Sequence, residues 1–287
     1  MRVLWYVKQT QYAVPLFAVL FFLLITLIPG GASEFQGAAT VAAGIFGIYI
    51  GFTINSSRAK LNTINELLKT ENARNLLTYR LSAAFGEKVQ DDIRNLLDKY
   101  IIDQIDYKLE DFDLSGGSLH ELHSYITNIK AKTTKEKEAL SSISSTINQQ
   151  WIDRAQIETL VIQRLSRMEW LSIIGLAGGF ILSLWPLSNG DLLLSLMLTV
   201  IASSVLLLIF VLRDLDQLKW QKSKWTWLPL HKLFLHLDLT PYYPAGVIKN
   251  GEARVKRGEE IRVARYYSPY PNMVDKTIEI VEYGQNI

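Results

Sequence analysis

The 287-residue chain has no cysteine, which excludes disulfides, thiolate metal sites and cysteine nucleophiles. It also lacks a phosphate-binding P-loop, a dinucleotide-binding glycine fingerprint and a zinc-hydrolase helix. His120-Glu-Leu-His123 sets its histidines three apart rather than four, so it reads as a solvated helix face rather than a metal pair. The formal net charge is only +2, too little positive charge to argue for a nucleic-acid partner. The most informative absence is local. Tyr12–Ile28, Gly37–Ile54, Trp170–Leu187 and Leu192–Leu212 contain no Asp, Glu, Lys, Arg or His.

Each of these four runs is long enough to cross a bilayer, the first near the short limit at roughly 25 Å of helix. The connectors Pro29–Gln36 and Ser188–Asp191 carry no Lys or Arg, whereas Arg2, Lys8, Arg58, Lys60, Arg164, Arg167, Arg213 and Lys219 flank the outer ends. Positive-inside logic therefore puts the N-terminus, the central region and the C-terminal tail in the cytoplasm, with two tight turns outside. A rival reading takes the first run as a signal peptide cleaved near Gly30-Gly31-Ala32. It is disfavoured because the run exceeds a usual signal core and another span follows at once.

Between the second and third spans, basic and acidic residues balance and the apolar residues are spaced as in helices. Leu61, Ile64, Leu67, Leu68, Leu76, Leu77 and Leu81 extend the second span as one helix to about Phe85, with Gly86 ending it. Val89 to Ile105 predicts a second helix, broken by Asp113–Gly117. Ser118 with Glu121, and Thr133 with Glu136, read as capping boxes. The pattern from Leu140 to Met168 meets no Pro or Gly and predicts a helix continuous with the third span. The acidic residues between Asp91 and Asp113 read as a solvated surface.

After the fourth span, Trp220, Trp225 and Trp227 alternate with Lys219, Lys222 and Lys224. That suits either an interfacial aromatic belt or packing on the cytoplasmic domain. Pro229 starts a short helix whose Leu230, Leu233, Phe234 and Leu237 share a face, lying on the membrane or covering the bundle. Asn250-Gly251 between Val247 and Val255 predicts a hairpin, and Ile261, Val263, Ile278, Ile280 and Val281 predict further strands. The fold class that follows is mainly α: a four-transmembrane-helix membrane protein with a cytoplasmic helical bundle and a small C-terminal β appendage. Its parts are an N-terminal transmembrane hairpin (1–57), a cytoplasmic helical domain (58–168), a second transmembrane hairpin (169–213), a juxtamembrane amphipathic segment (214–239) and a β-rich cytoplasmic tail (240–287).

The second span is rich in small residues: Ala39, Ala43, Gly44, Gly47 and Gly51, the last two in a GxxxG spacing. Two readings remain open: close helix packing, or a pore wall in which Thr40, Gly44, Gly47, Ile48, Gly51 and Asn55 face water and Ile45, Phe46, Ile48 or Ile50 narrow the path. Ion-coupled transporters keep ionisable groups or broken helices at membrane depth, and here only Pro15 interrupts the body of a span, Pro186 lying at the end of the third. Coupled transport is thus disfavoured while passive conduction is allowed, with hydroxyls such as Thr53, Ser183, Thr199 and Ser204 available as polar contacts. No convergent polar site points to an enzyme, and no cofactor is expected.

Glu66-Leu-Leu-Lys-Thr-Glu-Asn-Ala73 with Arg80, Leu96-Leu-Asp-Lys-Tyr100, Arg164-Leu165 and Leu212-Arg-Asp-Leu-Asp216 resemble the bestrophin-like membrane proteins of bacteria, distant relatives of bestrophin chloride channels. The resemblance runs over most of Phe52–Trp220. It implies a bacterial inner-membrane protein with four spans, cytoplasmic termini and a homo-pentameric pore for small ions, lined by the second span. By the same resemblance Gly44, Ile48 and Gly51 approach the axis, and Glu66, Arg80, Asp214 and Asp216 are structural ion-pair partners near the membrane. The sequence departs from the bestrophin pattern in having neither an aromatic-rich neck in the second span nor an acidic calcium clasp, so calcium activation is not implied. The leading expectation is a channel-like protein conducting small ions, anions among them. The alternative is a non-conducting scaffold or sensor that binds a partner through its cytoplasmic domain.

Overall fold

A computed structural model describes the backbone of residues 2–28, 30, 36–218, 227–253, 255–273 and 275–284. The chain is mainly helical with one small sheet, and it divides into two compact units: Met1–Leu61 with Arg164–Trp220, and Asn62–Gln163 with Gln221–Ile287.

The first unit holds α1 (Arg2–Leu27), the leading part of α2 (Gln36–Ser82), α6 (Arg167–Leu184) and α7 (Leu192–Asp216). Phe21 and Ile25 of α1 pack with Leu184, Leu198 and Ala202, while Phe46 and Ile50 of α2 pack with Ile173, Ala177, Val205 and Leu212. These are thin seams between helices. Leu16, Leu20, Leu171, Ile174, Leu193, Leu196 and Val200 are exposed, so the apolar surface faces outward, as in a protein solvated by lipid. Among the described residues, three helices are long and apolar enough to cross a membrane, those of α2, α6 and α7, whereas the apolar stretch of α1, Tyr12–Leu27, is shorter. The chain is thus an integral membrane protein with three helices suited to span the bilayer and a fourth, shorter apolar stretch.

The two connectors of this unit meet. The Trp185 indole donates to the Ile28 carbonyl at 2.7 Å, and the Gly30 amide donates to the Ser188 hydroxyl at 3.2 Å. A Cβ on Gly30 would lie 2.4 Å from the Pro186 Cα, a backbone approach that only glycine permits.

The second unit is a helical domain built on one core. Ile93, Leu97, Tyr100 and Ile101 of α3 (Glu87–Asp106) pack with Leu119, Leu122 and Ile126 of α4 (Gly116–Thr127) and with Ile143 and Ile147 of α5 (Thr134–Ile162). Leu230, Leu233, Phe234 and Leu237, the apolar face of α8 (Leu228–His236) and its C-cap, complete it, so this helix covers the bundle. Burying each such side chain contributes about 1.5–3 kcal/mol before entropy is counted. Trp227 packs on this core and on the sheet, which favours packing over an interfacial belt at that position. Trp220 and Trp225 lie outside the described residues.

The tail is part of the same core. Strand β1 (Tyr242–Pro244) pairs in parallel with β2 (Glu260–Arg265), which pairs antiparallel with β3 (Thr277–Glu282). Tyr242 and Ala264 enter the helical core. The acidic residues of α3 and the turn after it are the docking points. Asp98 pairs bidentately with Arg262 at 2.6 Å, and Asp106 accepts from Tyr242 at 2.7 Å and pairs with Lys276 at 2.5 Å. Tyr270 donates to Asp111. Asp98, Asp106 and Asp111 are therefore an interface with the tail, while Asp91, Glu110 and Asp113 stay exposed, as a solvated surface would have them.

Three local expectations are corrected. The third span is not continuous with the preceding helix: α5 ends at Ile162, Gln163 leaves helical geometry (ψ 85°), and Ser166 with Glu169 forms a capping box that restarts the chain as α6. Ser118 is not an N-cap, because α4 already begins at Gly116; its hydroxyl donates to the Ser115 carbonyl and Glu121 pairs with Lys99. The Asn250-Gly251 pair closes no hairpin. It ends α9 (Ala245–Lys249), with Asn250 as C-cap and Gly251 at φ +66°, because a left-handed glycine serves a helix terminus as readily as a tight turn. The capping box at Thr133 and Glu136 and the end of α2 before Gly86 (φ +93°) stand as the sequence implies.

Candidate functional site

Two faces of α2 concentrate the chemistry, one in each unit. At about 100° per residue, Thr40, Gly44, Gly47, Gly51 and Asn55 fall on one stripe with Ile48 at its edge, and all six are exposed. The buried side of this segment is different: Phe46, Ile50 and Ser57 pack within the unit. A second exposed stripe of Val41, Ile45, Ile48 and Phe52 runs beside the small residues. A Cβ placed on Gly44, Gly47 or Gly51 would meet nothing within 4 Å. Close packing inside the protomer is therefore not what these glycines serve. They leave this side of the helix open.

The hydroxyls of the spans are mostly committed to their own helices. Thr53 donates to Tyr49, Ser183 to Phe180, Thr199 to Ser195 and Ser204 to Val200, all to carbonyls at 2.6–2.8 Å. This back-bonding satisfies the groups in an apolar surround and removes them as polar contacts for a solute.

Of the residues expected to form structural ion pairs, Glu66 and Arg80 do not pair with each other. Glu66 and Arg80 are both exposed on α2, and 14 residues of helix separate them by about 21 Å. Asp214 is half-buried near the end of α7. Asp216, nearly buried, accepts from the Leu165 amide at 2.8 Å and from the Trp170 indole at 3.2 Å, and Lys60 and Arg164 share its electrostatic environment. Its role is thus to fix the non-helical stretch before α6, where Leu165 has no helical acceptor.

The second face lies where α2 joins the helical domain. Glu71, Asn75, Thr78 and Ser82 recur at helical spacing and all four are buried. Across from them stand Tyr100 and Gln104 of α3 and Gln150 and Arg154 of α5. Tyr100 and Gln104 both donate to the Glu71 Oε1 atom, and Gln150 donates to Asn75 at 2.9 Å. Arg154, only 1% exposed, donates to the Tyr100 hydroxyl, the Phe112 carbonyl and the Ser115 hydroxyl, and lies over the Phe112 ring at 4.2 Å. Arg74 and Asp153 pair beside this cluster. Burial pushes the Glu71 carboxyl above its ordinary range, against the donors that favour its charge, and pushes the Tyr100 phenol well up, so it remains a donor.

This seam does not stand out in the sequence. A polar residue at every helical turn from Glu71 to Ser82 was its available signal, but in a charge-balanced stretch that pattern also describes a solvated face. His120 is exposed and His123 half-buried on α4. Among the described residues no group of three potential metal ligands converges.

A family model described as a bestrophin-like domain matches residues 12–218. No curated protein and no solved structure matches the chain.

Proposed function

The chain belongs to the bestrophin-like family, and we propose on that premise that it is a channel-like membrane protein passing small ions passively, anions among them. In this reading several copies, five by family analogy, place their α2 helices around a common axis. The observation that carries it is the open stripe of Thr40, Gly44, Gly47, Gly51 and Asn55, with no neighbour within 4 Å of any added glycine Cβ. Small residues on an outward face serve no packing purpose in one protomer. Around an axis they leave room for ions and expose backbone dipoles, with Ile48 as an apolar constriction. The neighbouring stripe of Val41, Ile45 and Phe52 then supplies contact between copies.

The remaining parts follow. The α1 helix acts as a fourth span, and both termini and the helical domain lie on the cytoplasmic side of a bacterial inner membrane, consistent with the basic residues at the outer ends of the spans. The protein acts without catalysis or cofactor. Purified protein reconstituted in liposomes should pass ions down a gradient, and Gly47→Leu or Gly51→Leu should reduce the flux at least tenfold while leaving helix content unchanged. Absence of flux across several salts and pH values would count against the channel.

One observation favours a second reading. Strand β3 is an edge strand among the described residues, and its Ile278 and Ile280 are exposed. Such an edge is suited to strand addition by a partner protein. A monomer in nanodiscs that captures a partner and conducts nothing would favour this scaffold role.

A further inference from the structure

Where α2 gives way to α3, and α4 to α5, the helical domain opens a cleft of about 360 Å³. Phe85, Val89, Tyr125 and Ile129 form its apolar walls, and the exposed Lys130 and Lys132 complete one side. The four apolar residues are half-buried against the helical core, so the walls are held by side chains that are already packed. The Tyr125 hydroxyl is spent on Asp92 at 2.7 Å, which leaves its ring to serve as a wall.

The charge beside the cleft is one-sided. Residues 130–138 carry Lys130, Lys132, Lys135 and Lys137 against Glu136 and Glu138, a surplus of two that equals the formal net charge of the whole chain, +2. All four lysines are exposed, and among the described residues none of them forms an ion pair. Glu136, the one acidic residue of the lining, is already engaged: its Oε2 accepts from the Lys132 and Thr133 amides at 2.5 and 3.2 Å, and these amides hold its carboxyl below the usual range. Lys135 and Lys137 also stand in the first turn of α5, a 29-residue helix whose N-terminal dipole favours acids there. Two cations at that end work against the helix they belong to and gain no partner within it.

We propose that this cleft and its lysines dock a short acidic segment of a partner protein. One aromatic or large aliphatic side chain of the segment seats between Phe85, Val89, Tyr125 and Ile129, and the flanking carboxylates pair with the four lysines. An apolar anchor ringed by charged groups is the usual anatomy of a protein interface. The volume lies at the small end of ligand pockets, about 300–1,000 Å³, which suits a single anchoring side chain. A small carboxylate bound in the cleft would leave Lys135 and Lys137 unanswered, because neither lines it. The site needs neither ion conduction nor the edge strand β3, so its test stands by itself.

Full-length protein in nanodiscs of zwitterionic lipid should bind a fluorescein-labelled peptide that carries a run of glutamates on each side of a single phenylalanine, read as a saturable rise in anisotropy. Replacing that phenylalanine by alanine should weaken binding about tenfold, and reversing the charge of Lys130 and Lys132 together, Lys130→Glu with Lys132→Glu, should weaken it at least as much. Lys135→Glu is the sharper variant. A carboxylate suits the first turn of α5, so this protein should unfold at a higher temperature while binding the peptide about threefold more weakly. Four results would overturn the assignment: no saturable binding, equal binding of the phenylalanine and alanine peptides, binding unchanged by the lysine reversals, or tighter binding of phenylacetate or of a single-stranded oligonucleotide than of the peptide. The comparison of the two peptides uses the unmodified protein, so it decides the matter whatever the variants do.

Discussion

The two ends of α2 solve opposite problems with one continuous helix. Along its membrane-spanning part, the small and weakly polar residues Thr40, Gly44, Gly47, Gly51 and Asn55 face outward and the large apolar Phe46 and Ile50 face inward. Along Glu71–Ser82, polar residues face inward and Leu77 is 45% exposed. At the glycines on the outward face of the first part a new Cβ would meet nothing within 4 Å, so packing within the chain does not set their identity. The inward face of the second part is crowded with donors and acceptors, so its residue choice reflects a network closed within the chain. Substitutions in the two segments should therefore differ in sign as well as in size.

The largest effect belongs to the closed network. Arg154→Ala removes three hydrogen bonds to buried acceptors, leaving the Phe112 carbonyl with the Ser115 hydroxyl as its remaining side-chain donor and the Tyr100 hydroxyl without the guanidinium, and opens a cavity beneath the Phe112 ring. A loss of about 3 kcal/mol or more is expected from these terms together. Denaturant unfolding of the full chain in detergent, followed by circular dichroism, would measure it. A loss below about 1 kcal/mol would show the seam to be loosely held and would weaken the contrast between the two parts of α2.

A smaller effect is expected one turn along the same face. Asn75→Ala removes the acceptor that the Gln150 Nε2 donor meets at 2.9 Å, beside a Gln150 Oε1 that has no partner. The cost of leaving a buried donor without its acceptor is about 1–3 kcal/mol. Restoring it by a second change, Gln150→Met, should recover part of the loss, because removing both partners is cheaper than removing one. Unfolding midpoints of the single and double variants would read this directly. Equal losses in the two would mean that the pair does not interact energetically.

The legibility of the sequence follows the same division. The length of α2 could be read because its apolar residues keep helical spacing from Leu61 to Leu81 and Gly86 takes a conformation other residues avoid. The small residues of the second span could be read because glycine and alanine stand out against the surrounding isoleucine and phenylalanine, but not which of them lie open: Ala39 is buried, whereas Gly44, Gly47 and Gly51 are exposed. The break after Ile162 could have been found from Ser166 and Glu169, a capping signature three residues apart, but an unbroken apolar pattern without Pro or Gly argued the other way. Strand β1 was hidden by its length, three residues at Tyr242–Pro244. Asp216 stands out as a charge at the end of a span, but its partners do not: the Leu165 amide and the Trp170 indole belong to a stretch whose departure from helix no residue type announces. The seam was least visible, since Glu71 and Arg154 look like any surface charges until the tertiary fold brings α2, α3 and α5 together.

The smallest effect should have the opposite sign. At Gly51 a new Cβ meets no atom within 4 Å, and Gly51 is not among the glycines at positive φ, so Gly51→Ala introduces neither clash nor strain. Alanine also restricts the unfolded backbone and favours helix over glycine by up to about 1 kcal/mol. The protomer should therefore gain stability of about 0.5–1 kcal/mol, seen as a higher unfolding midpoint. In an assembly where the stripe faces an axis or a neighbouring copy, the same methyl narrows a shared space. The variant should then combine a more stable fold with lower flux or weaker assembly. A helix held by lipid alone would gain the stability without that cost, so measuring both on one variant separates the open face as a functional surface from the open face as mere exposure.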